Sequence, residues 1–175
     1  MAAGYGLTTH FYMVHNDLVP DNADVFCTIQ DYVAMSLVHA AAPLVHCSDA
    51  ASLGLFSIEK NAFDLAALEQ AGIDPLLLPP VTREIKTLGM TPDGIPVSVA
   101  IGDNQASFLG SVSDPDAILV NVGTGSQVSA RVPSVTSGKD LQFRPFPDGG
   151  ILCVGSPLCG GYSYAVLKEF FVQTA

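Results

Sequence analysis

The chain has 175 residues, 49% hydrophobic and 14% charged, with a net charge of −10. Such a chain is long and apolar enough to bury a core, which excludes a disordered polypeptide. The acidic balance excludes nucleic acid and anionic membrane as partners, since both need a basic footprint, but leaves small anions open because backbone amides and Mg2+ hold phosphates locally. No run of about 18 apolar residues predicts a membrane span. Met1–Tyr5 lacks the basic start and apolar stretch of a signal peptide. Four cysteines (Cys27, Cys47, Cys153, Cys159) and four histidines (His10, His15, His39, His46) show no metal-ligand spacing. The expectation is therefore a cytoplasmic protein with reduced thiols and no metal held by its own side chains.

In chain order, Leu7, Phe11 and Val14 fall at helical spacing and predict a first helix. Residues 25–30 read as short and extended, and Asp31 as the cap of a helix through Leu37. Ser48-Asp49-Ala50-Ala51-Ser52 reads as a polar loop and residues 54–58 as a short strand. Asp64 caps a helix over Leu65 and Leu68 that ends at Gly72. Pro75, Pro79 and Pro80 make the next stretch irregular. Thr91-Pro92-Asp93-Gly94 is a turn, because proline presets φ at its second position and glycine supplies φ > 0 at its fourth. A strand over 95–101 and a helix over 104–112 follow. Beyond a Ser113–Pro115 joint the pattern turns to strands: 117–122 and 127–132 as a hairpin, then 151–154. Gly160-Gly161 opens a last helix with Val166/Phe170 and Leu167/Phe171 at i,i+4.

Two segments carry chemistry. Val97–Ile101 is an apolar, β-branched run that stops at Gly102 and delivers Asp103 into a turn before a helix. An aspartate there is a helix N-cap or a general base; Gly102 beside it allows close approach of a substrate. Eighteen residues after Asp103 a strand runs into Asn121-Val122-Gly123-Thr124-Gly125-Ser126. The Gly-Thr-Gly-Ser tetrad is a plain hairpin turn or a phosphate nest of amides and hydroxyls. It is not a Walker A loop, since neither a Gly-Lys-Ser/Thr nor a helix follows. A carboxylate that takes a proton and a loop that holds phosphate are the minimum for phosphoryl transfer to an alcohol. Gln30-Asp31 and Ser48-Asp49 read as caps or loop hydrogen bonds before sugar ligands. Gly160-Gly161 is a tight strand-to-helix turn or a close approach to a nucleotide.

Together these segments resemble the FGGY carbohydrate kinase family, most closely its sedoheptulokinase-like members. The resemblance runs from about residue 4 to the end. It is carried by Cys27–Val33 with Ser48–Phe56, by Gly102-Asp103-Asn104-Gln105-Ala106-Ser107, and by Asn121–Ser126 with the glycine-rich Gly155–Gly161. It implies an α/β, ribonuclease H-like (actin-like ATPase) fold, present in part. Residues 1–113 would be the C-terminal part of domain I, on the sugar side, and 114–175 the N-terminal part of domain II. The implied reaction is ATP- and Mg2+-dependent phosphorylation of a sugar hydroxyl. Asp103 would be the catalytic base and, with Asn104 and Gln105, would touch the sugar. Gly123, Thr124, Gly125 and Ser126, with Gly160 and Gly161, would bind the nucleotide.

The family's first strand pair with its aspartate and Gly-Thr phosphate motif, and its adenosine-binding glycine motif, have no counterpart here. The expectation is a central part of such an enzyme, inactive alone and prone to self-association through apolar edges. A truncated chain that binds sugar or a partner without catalysis, and an actin-like ATPase of another class, are the competing readings.

Overall fold

The computed structural model describes residues 3–136, 138, 140–156 and 159–174. Two positions of the glycine-rich stretch, Pro157 and Leu158, lie outside the described residues. The chain divides into two compact units, 1–103 with 145–149, and 104–144 with 150–175.

The first unit opens with α1 (Gly6–His15), then α2 (Ile29–Leu37). The cap of α2 is Thr28, not Asp31: Thr28 sits in extended backbone and its hydroxyl oxygen accepts the Asp31 amide at 3.3 Å. Asp31 instead falls in the first turn, where the helix dipole favours a negative charge, and its carboxylate accepts the Thr28 hydroxyl. Residues 25–28 before it form no strand. A two-residue strand β1 (Val45–His46) pairs in parallel with β4 (Val81–Thr82).

Directly after β1 comes α3 (Cys47–Leu53), where a polar loop was expected. Two of its three polar residues face inward: Ser48 and Asp49 are buried along with Cys47, Ala50 and Leu53, while Ser52 is exposed. Gly54, at φ +97, ends it in a backbone that a β-carbon would strain. The short hairpin β2 (Phe56–Ser57) and β3 (Ala62–Phe63) leads to α4 (Leu65–Gln70), capped by Asp64 and followed by Gly72 at φ +67 as the sequence predicts. A 3-10 turn over Pro75–Leu77 precedes β4. The core joins Leu7 of α1, Leu53 of α3, Leu68 of α4 and Ile73. That convergence is why three short helices, each marginal alone, hold together.

The antiparallel pair β5 (Thr87–Met90) and β6 (Pro96–Ser98) turns at Gly94, φ +79. β6 is shorter than the 95–101 strand expected. Past Ser98 one more backbone bond follows, from the Val99 amide to the Lys86 carbonyl at 2.8 Å, and the Gly102 amide then goes to a side chain instead of a strand.

The second unit holds α5, which spans Asp103–Ser111 with only its first residue counted in the first unit, and a four-stranded sheet. The sheet order is β7 (Ile118–Val122), β8 (Ser126–Val132), β10 (Ile151–Gly155), β9 (Leu141–Pro145). β7/β8 and β8/β10 are antiparallel. Leu152 and Val154, two apart on β10, are fully buried, the period of a strand with one covered face. α6 (Gly161–Thr174) follows β10. Among the described residues no helix is long and apolar enough to cross a membrane.

Candidate active site

Asp103 is the first residue of α5 and is exposed, while Gly102 before it is buried. What fixes this junction comes from α3. The Gly102 amide donates to Ser48 Oγ at 2.9 Å, across 54 residues of sequence. Ser48 Oγ lies 2.8 Å from His46 Nδ1, and His46 Nε2 lies 3.1 Å from the Arg83 carbonyl. A carbonyl only accepts, so Nε2 carries the ring proton and Nδ1 accepts from the Ser48 hydroxyl. Nδ1 also accepts the Ser48 amide at 3.2 Å, so His46 caps α3. Burial pushes the imidazole below its usual range, against the pull of the Arg83 carbonyl, a shift that favours the neutral ring of this chain of bonds.

Beneath this junction lies a buried acidic pair. Asp49 has no exposed surface and Asp31 is 2% exposed. Gln30 Nε2 donates to Asp49 Oδ1 at 3.0 Å. Burial foremost, then the like charge of Asp31 and finally that of Asp103, push the Asp49 carboxyl up to about 7, against the Gln30 hydrogen bond. Burial likewise raises Asp31, against its bonds with Thr28. The sequence reading treated Gln30-Asp31 and Ser48-Asp49 as separate local features; the structure joins them to each other and to Asp103. The one local signal for α3 is Gly54 in the C-terminal position, which the polar run before it masks.

In the second unit the turn Gly123-Thr124-Gly125 is closed by the pair Val122↔Ser126. The Gly123 amide donates to the Gly125 carbonyl at 2.8 Å. The turn's outward carbonyls receive the first amides of α6: Gly161 donates to Gly123 at 2.7 Å, Gly160 and Tyr162 to Thr124 at 3.2 and 3.3 Å. Ser126 Oγ donates to the Cys159 carbonyl at 3.3 Å. These bonds use neither the amides of Thr124 and Gly125 nor the Thr124 hydroxyl, and the turn is exposed there. A β-carbon at Gly160 would meet Gly125 C and O at 2.5 Å, and one at Gly161 would meet Gly123 O at 2.6 Å. The two glycines thus let the helix seat directly on the turn. The structure brings Gly123–Ser126 together with Gly160 and Gly161. It also ties Asn104 to the strand leaving the turn, since Gln127 Nε2 donates to Asn104 Oδ1 at 2.5 Å and lies 3.1 Å from Ser129 Oγ. Gln105, one residue on, is buried.

No protein-family model matches the chain. Its sequence is 30% identical to mouse sedoheptulokinase over 190 residues, covering 99% of this chain and 40% of the mouse protein. Human sedoheptulokinase matches at 30% over 188 residues, 99% of this chain and 39% of that protein. The chain is related to the FGGY carbohydrate kinases. It spans about two fifths of the length of these curated relatives. The crystal structure of xylulose kinase from Rhodospirillum rubrum superposes with a TM-score of 0.81 at 17% identity, over 98% of this chain and 37% of that one. Plasmodium falciparum glycerol kinase with ADP gives 0.74 at 18%, over 92% and 36%. These superpositions establish the fold: the mixed α/β chain shares the actin-like ATPase architecture of the FGGY kinases, as the resemblance implied. The named relatives and neighbours are sugar and glycerol kinases, phosphotransferases that act on an alcohol group.

Proposed function

We propose that this chain carries the proton-accepting and phosphate-binding parts of an ATP-dependent kinase that phosphorylates a sugar hydroxyl, with a ketose such as sedoheptulose as substrate. The single observation that carries the reading is the exposed Asp103 carboxylate at the head of α5, on backbone anchored from α3. Identity to two sedoheptulokinases supports the choice of sugar. In this reading residues 1–113 belong to the sugar-side domain and 114–175 to the nucleotide-side domain, and the protein works in the cytoplasm.

Asp103 accepts the proton of the attacking hydroxyl. As the sugar oxygen bonds to the γ-phosphorus, the bond to the β,γ-bridging oxygen breaks and ADP leaves with its electron pair. Asn104 and Gln105 complete the sugar side. In the second unit the amides of Thr124 and Gly125 and the Thr124 hydroxyl are donors of the kind phosphate oxygens accept. Gly123 and Ser126 shape that turn, and Gly160 and Gly161 hold α6 against it. Mg2+, when bound, would be held mainly by the phosphates and would offset the charge that builds up on them. Among the described residues no group of three or more His, Cys, Asp or Glu is placed to hold it.

The test is Asp103→Asn in the native polypeptide that carries this sequence, assayed for ADP formation with sedoheptulose, xylulose and ribulose. Turnover is expected to fall on the order of 10²–10⁴-fold with sugar affinity nearly kept, as for a lost general base. Turnover at the unaltered rate overturns the assignment of Asp103.

A further inference from the structure

Ser48 is buried in the first turn of α3. A serine there ordinarily satisfies an amide of its own helix. In this chain His46 takes that task through Nδ1, and the Ser48 hydroxyl is turned away to Gly102, 54 residues on. The Ser48 hydroxyl donates to His46 Nδ1, because Nε2 carries the ring proton and gives it to the Arg83 carbonyl. The oxygen lone pairs are thereby aimed at the Gly102 amide. One end of this chain of bonds is rooted in the β1/β4 pair: His46 is the second residue of β1, and Arg83 follows Thr82 of β4. Gly102 itself lies beyond β6, so no ladder holds it. The bond from Ser48 holds the Gly102 amide immediately before α5.

We propose that Ser48, oriented by His46, is a positioning residue for the Asp103 carboxylate, acting through the Gly102 amide. This rests on the reading of Asp103 as the base. A carboxylate one residue from a buried, singly tethered amide moves when the tether goes, and displacement of a catalytic group by about 1 Å lowers turnover on the order of 10²-fold. Sugar and nucleotide contacts made elsewhere persist.

The experiment compares Ser48→Ala, Ser48→Thr, Ser48→Cys and Asp103→Asn in the native polypeptide, by steady-state kinetics and amide hydrogen exchange at Gly102. Ser48→Ala is expected to lower kcat about 10–100-fold with both KM values within about threefold, and to lose protection at Gly102. Ser48→Thr, which keeps the hydroxyl, returns kcat to within about fivefold of the unaltered protein, and Ser48→Cys, a weak acceptor, falls between. A folded Ser48→Ala with unaltered kcat and Gly102 protection overturns the proposal. So does a rise in KM as large as the fall in kcat. If Ser48→Ala does not fold, equal kcat in the Thr and Cys variants overturns it instead. Full turnover by Asp103→Asn strikes the base reading alone, since the exchange result at Gly102 stands without it.

Discussion

Asp49 accepts from Gln30 through one carboxyl oxygen, and its other, buried, oxygen has no hydrogen-bond partner among the described residues. A carboxylate in that setting is costly, so the group holds its proton up to about pH 7, against an ordinary value of 3.8. Below about pH 4 folded and unfolded chains both carry the proton, and Asp49 does not alter stability. Between about 4 and 7 the unfolded chain ionises first, so stability falls as pH rises. Above 7 the full penalty is in place, on the order of 4 kcal/mol at most. Asp31, raised by burial, acts in the same sense, while His10 and His46, lowered by burial, act oppositely below 6.5. Those contributions largely cancel when variant and unaltered protein are compared at one pH. Asp49→Asn keeps the acceptor for Gln30 and cannot ionise. It is expected to raise the melting temperature by several degrees at pH 8.5 and to leave it nearly unchanged at pH 4. Thermal melts across pH check this, and an equal shift at both pH values would refute the ionisation argument.

At the scale of elements, the Gly123–Gly125 turn and the start of α6 form one piece, and glycine is required for a steric reason that differs from site to site. Gly160→Ala drives a β-carbon into backbone atoms 2.5 Å away that no side-chain rotation relieves. It should cost about 1–3 kcal/mol of stability. Gly110, inside α5, meets nothing within 4 Å, so Gly110→Ala should stabilise by about 0.5–1 kcal/mol. Urea titrations of the two variants should move in opposite directions; a Gly160→Ala variant as stable as the unaltered protein would show the turn to be looser than described. The hairpin, α1, α4 and α5 were legible because each has a repeating apolar face or a cap and a stop that physics ties to one conformation. α3 was not, because Ser48, Asp49 and Ser52 read as solvent-facing polarity when two of them point into the interior. β1 and β4, two residues each, are too short for any periodicity, and their pairing is set by the β1–β4 crossover alone. β9 was passed over although Leu141 and Phe143 alternate with Gln142 and Arg144. The same limit applies at the site. The place of Asp103 at the head of a helix could be read from strand, glycine and helix in sequence, but the bond beside it could not, since nothing local in Ser48 announces a partner at Gly102.

Over the whole molecule, the apolar residues that the sequence places on the last helix remain uncovered. Val166, Leu167, Phe170 and Phe171 are all at least half exposed, and none of the residues of α6 is buried. β7 repeats the pattern at every second position, with Ile118, Val120 and Val122 exposed. Scattered exposed hydrophobes are ordinary, but side chains grouped on one helix and along one strand face are the kind of surface that contacts other protein. The curated relatives hold about three fifths of their length outside the match, so in such kinases further chain is at hand to cover it. A polypeptide of these 175 residues alone lacks that cover and is expected to associate. Light scattering coupled to size exclusion should show mass above the monomer that grows between roughly 5 and 100 μM, the behaviour of patches of this kind. Phe170→Glu with Phe171→Glu should return it toward the monomer, because charge on that helix opposes burial of a second copy. A monodisperse monomer across that range, binding no hydrophobic dye, would mean that α6 and β7 cover their own apolar faces in solution. If instead the native polypeptide is longer and stays monomeric while the 175-residue chain associates, the same side chains are an internal interface of that longer polypeptide.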